Sequence, residues 1–251
     1  MGYELIITEK PQAAKKIAEA LADSKAKKES HNKVPYYTLR HNGNSIVVGC
    51  AVGHLFTVAE KNKGKWHYPV FDVEWVPSSK TNKGAAYITK YLNTLKKLSK
   101  GADTFTVACD FDIEGEVIGY NVIRFICKEK DAQRMKFSTL TKNELIDSYE
   151  HKLKHLEWGQ ANAGVTRHEL DWYYGINLSR ALTLAVKTTG MFKILSSGRV
   201  QGPALKIIVE KEKIIQKFKP EPFWQIELNG KIQTNKITAM HKEDKFWDKE
   251  K

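Results

Sequence analysis

Asp110, Asp112, Glu114 and Glu116 place four carboxylates within seven residues, in the run Thr104-Phe-Thr-Val-Ala-Cys-Asp-Phe-Asp-Ile-Glu-Gly-Glu116. Charges of one sign this close repel, and burial would strip each of its hydration. A hard cation relieves both penalties, and Mg²⁺ is usually held by one or two carboxylates together with waters and substrate phosphates. The other reading of the segment is a solvated acidic turn. Glu9 and Lys10 form a second pair with chemical potential. A carboxylate beside a metal-bound diacid can serve as general acid or base, and a lysine can pair with a phosphate. Taken alone, the pair reads equally well as an exposed Glu-Lys on the shoulder of a helix.

The elements that must position these groups follow from composition and period. Thr104 to Cys109 is apolar and β-branched, as a buried strand is. Val117 to Cys127 carries apolar residues at helical spacing, so the acids occupy a strand-to-helix turn. In an open α/β sheet, ligands bind in the crevice outside the carboxyl ends of the strands. Tyr3 to Thr8 reads as a first strand, which in a parallel sheet sends Glu9 and Lys10 to the same edge. A helix is expected over Pro11 to Asp23, with Pro in its first turn, then a polar loop over Lys25 to Lys33. Asn42-Gly43 joins Tyr37 to His41 and Ser45 to Cys50 in a hairpin, since both turn positions tolerate positive φ. Residues 58 to 84 read as a long surface excursion, Ala85 to Leu98 as a helix and Gln133 to Ser138 as a strand. This order predicts an α/β domain, Rossmann-like with a mainly parallel sheet.

Beyond residue 140 the pattern turns helical. Thr141-Lys-Asn-Glu144 reads as a capping box opening a helix to Lys154. A second helix spans Asn162 to Lys187, with Leu170, Tyr173, Tyr174, Leu178 and Leu182 on its apolar positions. Gly190 and Ser196-Ser197-Gly198 end it, and Pro203 sits in the first turn of a helix to Lys217. Phe223 to Leu228 and Lys236 to Met240 read as short strands. Hence a helical region over 141–218 and the start of a β-containing domain over 219–251 are expected.

Lys and Arg number 41 against 29 Asp and Glu, for a net charge of +12. A basic total around a tight acidic cluster suggests a polyanionic partner with a metal between partner and acids. Cys50, Cys109 and Cys127 form no Cys-x-x-Cys pair, which argues against a disulfide framework and a zinc ribbon. Leu5-Ile6-Ile7 is too short for a signal peptide and no run reaches membrane-spanning length, so a cytoplasmic, nucleoid-associated protein is expected and no membrane partner. His151 and His155 are expected four apart on one helix, without a visible third ligand for a metal. Arg167 and Asp171 share the same spacing, as an intrahelical ion pair worth ~0.3–0.5 kcal/mol would. Ser196, Arg199 and Gln201 precede a helix N-terminus, where free N–H groups favour a phosphate; the alternative is a capping loop with a surface arginine. Trp172, Tyr173 and Tyr174 are candidates for base stacking, although two of the three are expected in the core.

Glu9-Lys10 and the Asp-Phe-Asp-Ile-Glu-Gly-Glu run together resemble the Toprim fold, a catalytic module of topoisomerases, primases and some nucleases. Thr166 to Ser179 and Leu195 to Gln201 resemble the helical gate region of type IA DNA topoisomerases. Gly53-His54-Leu55 and Arg134 to Thr141 are similar to Toprim segments of that family, and Thr8-Glu-Lys-Pro11 looks closest to its topoisomerase III and archaeal branch. The resemblance implies a Toprim domain over 1–140, part of the gate domain over 141–218 and the incomplete start of the arch domain over 219–251. It implies Glu9 as general acid/base, Lys10 as a phosphate contact, and Arg134 approaching DNA from the last Toprim strand. Asp110, Asp112 and Glu114 would hold Mg²⁺, with Glu116 supporting the turn. Arg167, Asp171, Ser196, Arg199 and Gln201 would contact the single-stranded segment of negatively supercoiled DNA.

One departure from the family matters. Its nucleophilic tyrosine lies in a Tyr-x-Arg-Ser/Thr context well beyond Gly-Arg-Val-Gln, whereas residues 202–251 contain no tyrosine and the last is Tyr174. The resemblance then implies that the nucleophile resides in a missing C-terminal part or a separate subunit, and that this chain alone does not cleave. The alternatives are a self-sufficient Toprim nuclease or primase, which leaves Arg167–Asp171 and Ser196–Gln201 unexplained, or a DNA-binding-only module, whose acids would be vestigial.

Overall fold

Three strands that finish level with one another organise the molecule. β1 (Tyr3–Thr8) lies parallel to both β4 (Asn44–Cys50) and β7 (Ala102–Ala108), and Thr8 is in register with Cys50 on one side and Ala108 on the other. The computed structural model describes residues 2–62, 64 and 66–248. It divides into a unit over 1–199 and a unit over 200–251.

In the first unit the sheet order is β2-β3-β4-β1-β7-β8, with β2 (Lys27–His31), β3 (Val34–His41) and β8 (Gln133–Arg134). The β1–β4, β1–β7 and β7–β8 pairs are parallel, while β2–β3 and β3–β4 are antiparallel. The sheet is therefore mainly parallel, as expected. Alternation along β1 sends its apolar side chains to both faces. Leu5 and Ile7 join a cluster with Leu92, Leu95 and Leu98 of α2 (Ile88–Ser99) and with Ile118 and Val122 of α3 (Ile113–Val122). Ile6 joins Ala14, Ile17 and Leu21 of α1 (Pro11–Leu21) and Leu145 of α4 (Lys142–Glu150) on the opposite face. Burial on both sides makes the run Leu5-Ile6-Ile7 continuously apolar.

Several expectations change in detail. The polar stretch 25–33 is not a loop: Lys27–His31 is the edge strand β2, paired with β3, and its charge suits an edge that must not recruit a further strand. The excursion after residue 58 contains an antiparallel ribbon of β5 (Phe56–Glu60) and β6 (Val73–Pro77), followed by two 3-10 turns, Ser78–Lys80 and Lys83–Ala85. Lys63 and Lys65 in that stretch, and residues 249–251 of the charged C-terminus, lie outside the described residues. Strand β8 is two residues long, where six were expected.

The capping box does not form. Thr141 precedes α4 without a side-chain cap, and Glu144 instead reaches back to the Ser138 and Thr139 N–H groups at 2.5 and 3.0 Å. α4 stops at Glu150, short of Lys154, because the chain then turns into the sheet. Leu153 exchanges two backbone bonds with Arg134, at 2.8 and 2.9 Å, and Lys152 bonds Glu4 at 2.5 Å. α5 (Trp158–Lys187) is a single helix of 30 residues, roughly 45 Å long at 1.5 Å per residue. Its start packs on α3, where a Cβ on Gly164 would lie 2.2 Å from a Val117 methyl. Further along it is stitched to the ribbon loop. Asn177 bonds both the N–H and C=O of Val70, at 2.7 and 2.9 Å, and Arg180 pairs with Glu60 at 2.7 Å. Trp172 and Tyr173 are half-buried, Tyr174 is exposed, and none of the three is a core residue.

In the second unit, α6 (Gln201–Lys217) is followed by the antiparallel pair β9 (Glu227–Ile232) and β10 (Asn235–Met240). The first of these strands starts later than expected. No helix among the described residues is long and apolar enough to cross a membrane.

Gly119 sets the distance between α3 and β7, since a Cβ there would lie 2.3 Å from Val107 Cγ1. Gly119→Ala is expected to destabilise the first unit by ~1–3 kcal/mol through overpacking, read as a lower urea midpoint with an unchanged slope.

Candidate active site

Because β1, β4 and β7 end in register, the segments leaving them emerge side by side. Glu9 and Lys10 follow β1, His54 follows β4 by four residues, and Asp110 and Asp112 follow β7. The Lys10 ammonium lies 2.8 Å from an Asp110 carboxylate oxygen and 3.2 Å from Glu9. Residues a hundred positions apart thus meet in one cleft of about 490 Å³, lined by Lys10, Gln12, Asp110, Phe111, Asp112 and Phe137 among others.

Burial holds the Glu9 carboxyl above the usual glutamate range; the bond from Lys10 opposes this, while the charges of Asp110 and Asp112 push the same way. Lys10 is held firmly protonated by its bonds to Asp110 and Glu9. The site is therefore anionic overall, with one ammonium standing between two carboxylates.

The acidic turn owes its shape to local backbone chemistry. Asp112 is the N-cap of α3 and accepts the Gly115 N–H at 2.7 Å, as Asp does well. A Cβ on Gly115 would lie 2.1 Å from the Asp110 carbonyl oxygen, so only glycine lets the helix begin this close to the strand. Beneath the turn, Arg134 and Glu116 are both wholly buried and paired at 2.7 Å. The Arg134 guanidinium also donates to the carbonyls of Cys109 at 2.9 Å, Met135 at 2.7 Å and Asp110 at 2.9 Å. Glu116 accepts the Glu157 N–H at 2.9 Å, at the start of α5.

These contacts correct the expectation that Arg134 approaches DNA. Its side chain has no exposed surface, and its donors are spent on holding the backbone from which Asp110 projects. Glu116 supports the turn by the same pairing.

Glu114, expected with Asp110 and Asp112 around Mg²⁺, is held by partners that the sequence did not name. Its carboxylate meets His54 Nε2 at 3.0 Å, His168 Nε2 at 2.8 Å and Arg167 Nη1 at 2.9 Å. Burial opposes its charge, but His168, His54 and Arg167 outweigh that and hold its carboxyl below the usual range. Burial and the nearby His168 lower His54 from the ordinary imidazole value.

Of the remaining expected residues, Arg167 and Asp171 do lie on one face of α5, 3.9 Å apart, but each has a closer partner. Arg167 takes Glu114, and Asp171 takes Arg199 through two contacts of 2.5 and 3.2 Å. That bond from Arg199 keeps the Asp171 carboxyl below its usual range. Ser196 is exposed in the segment that runs back along α5, where the Ser197 N–H donates to Ser179 Oγ at 2.9 Å. Gln201 is the first residue of α6, in the second unit. His151 caps α4 and His155 pairs with Asp131 at 2.7 Å, so the two do not share a helix face. Sequence reasoning gave His54 and His168 no role. Their separations from Glu114 are 60 and 54 positions, and the hints were the Gly53-His54-Leu55 segment and the adjacency of His168 to Arg167.

A mainly parallel sheet that delivers Glu-Lys and Asp-x-Asp to one cleft defines a class of catalytic domain. The chain belongs to the Toprim family, whose domain model matches residues 4–140. The DNA topoisomerase family model matches residues 155–251. Among curated proteins, DNA topoisomerase 1 of Methanocaldococcus jannaschii is 51% identical over 245 residues, which is 97% of this chain and 31% of that protein. DNA topoisomerase 1 of Pyrococcus horikoshii is 47% identical over 249 residues, 98% of this chain and 36% of that protein. The chain spans about a third of the length of these relatives. Full-length topoisomerase I from Thermotoga maritima shares the fold, with a TM-score of 0.63 at 23% identity over 98% of this chain and 36% of that one.

Glu116→Gln keeps the shape of the buried pair but leaves the Arg134 charge uncompensated. A loss of roughly 3–5 kcal/mol is expected, seen in chemical denaturation, with the cleft residues untouched in sequence.

Proposed function

We propose that this chain is the N-terminal portion of a type IA DNA topoisomerase, supplying the acid/base and metal side of single-strand cleavage, religation and passage. The attacking tyrosine would come from another part of the protein or another subunit. The observation that carries the reading is the 2.8 Å contact between Lys10 and Asp110, which joins Lys10, Asp110 and Asp112 in one cleft at the carboxyl edge of the sheet, with Glu9 held beside it by Lys10 at 3.2 Å.

The donor set of that cleft suits a hard dication. Its ligands are carboxylate oxygens, and the Lys10 ammonium already occupies a cationic position between two of them. Asp110, Asp112 and Glu114 are the residues that would hold Mg²⁺, together with water and phosphate oxygens. Bound there, the ion would supply charge neutralisation at the phosphodiester.

The protein's own groups do the rest. Lys10 can exchange its Asp110 partner for a phosphate oxygen at little cost, since that ion pair faces solvent. Glu9, whose carboxyl is kept high by burial, is suited to give a proton to the leaving 3′-oxygen and to take it back on religation. Arg167, Asp171, Arg199 and Ser196 lie along α5 and the segment beside it, and these with Gln201 are assigned to the single strand on the strength of their motifs. The surplus of basic residues provides the sequence-independent attraction. The working location is the cytoplasm, on the nucleoid.

The test uses the 251-residue chain with Mg²⁺. It should bind a single-stranded oligonucleotide with affinity that falls steeply as salt rises, and leave supercoiled plasmid unrelaxed. Supplying the tyrosine-bearing portion should restore relaxation, and Lys10→Met should then lower its rate by at least about tenfold. Nicking by the chain alone, abolished in Asp110→Asn and leaving no protein–DNA adduct, would favour the nuclease alternative instead.

A further inference from the structure

The cleft has two walls of different chemistry. Lys10, Asp110 and Asp112 supply the charged one, which suits a phosphodiester and its cation. Phe111, Phe137 and Leu140 line the same space and offer neither of them anything. Phe111 is not there for the core: it belongs to neither apolar cluster on the faces of the sheet, and it is 40% exposed. Its ring is nonetheless held. The Lys136 ammonium stands 4.1 Å from the ring centroid, itself anchored to Glu157 at 3.3 Å, and the Arg134 guanidinium lies 5.7 Å away. Neither cation lines the cleft, so the ring is backed by positive charge and gives carbon surface to the open space.

We propose that Phe111 stacks on the base of the nucleotide whose phosphate meets Lys10, so that the cleft takes a whole nucleotide of the single strand and not its backbone alone. This inference rests on the proposed function, since it takes a single strand as the ligand. Every base has a π-face, and an aromatic ring beside a phosphate-binding groove is a general device for holding single strands. A volume of about 490 Å³ lies in the range of pockets that enclose small organic molecules.

The placement fits one nucleotide. Phe111 is the chain neighbour of Asp110, whose carboxylate is 2.8 Å from Lys10. Consecutive Cα atoms are about 3.8 Å apart, so a ligand engaging both residues need be no larger than a base with its own sugar and phosphate. Gln12 and Ser138 line the cleft too, and their amide and hydroxyl suit the polar edge of a base. Because Lys136 and Arg134 already fix the ring, little further ordering is needed when a base arrives.

The experiment compares the 251-residue chain with Phe111→Ala, in Mg²⁺, on a single-stranded oligonucleotide and on an abasic strand of the same length. Phe111→Ala should weaken binding to the oligonucleotide by at least about fivefold, the lower end of what one stacked base contributes. Binding to the abasic strand, and the slope of affinity against salt, should stay as in the parent, because no phosphate contact is lost. Phe111→Tyr keeps a ring and should bind both strands like the parent. General damage to the fold would weaken both strands alike, so the ratio between them isolates stacking. Phe111→Leu is the second variant, should Phe111→Ala fail to match the parent's urea midpoint. If the parent shows no salt-sensitive binding to either strand, the proposed function fails and this inference with it. If the parent binds but the folded variant weakens both strands equally, or neither, this inference alone is overturned.

Discussion

The buried pair of Arg134 and Glu116 is the interaction on which the site depends. Desolvating two charges is costly, and a pair on that ground alone is weak evidence for stability. Here the guanidinium does more than neutralise a carboxylate. It collects the carbonyls of Cys109, Asp110 and Met135, backbone acceptors that the sheet leaves unpaired where β7 and β8 end. Glu116, in turn, accepts an N–H at the threshold of α5. One ion pair therefore fixes the end of the central strand, the start of α3 and the approach of the long helix. Lys10 and Asp110 meet in the cleft because both stand on backbone whose path is set from below.

Around that pair, the level finish of β1, β4 and β7 decides which residues share an edge. The result is two neighbouring environments of different character. In the cleft, oxygens and one ammonium are open to solvent. Beside it, Glu114 is drawn into a half-buried group with two imidazoles and an arginine.

Much of this was legible in the sequence. The strand-turn-helix at residues 104–127 and the position of Glu9-Lys10 after an apolar strand were enough to put the acids and the ammonium on one edge. The Asn42-Gly43 hairpin and the extents of α1, α2 and α5 followed from turn chemistry and period. What failed did so for physical reasons. β2 is an edge strand whose polar composition reads as a loop, and the β5–β6 ribbon interrupts its apolar residues with charge. Glu144 found its N–H partners before the helix cap, outside the four-residue pattern that signals a capping box. Arg134 was expected at the DNA only through the family resemblance; the sheet shows that its partners are all beneath it. His54 and His168 were silent because nothing in linear spacing brings residues from three elements together.

The length of α5 has a mechanical consequence. Near its start it is seated on α3 through Gly164, and two turns short of its end it is bolted to the ribbon by Asn177 and Arg180. A rod fixed at two points along its length transmits force without bending between them. Past Lys187 that fastening ends: Thr188 closes the helix, Gly190 adopts a left-handed backbone and Met191 to Ile194 stand exposed.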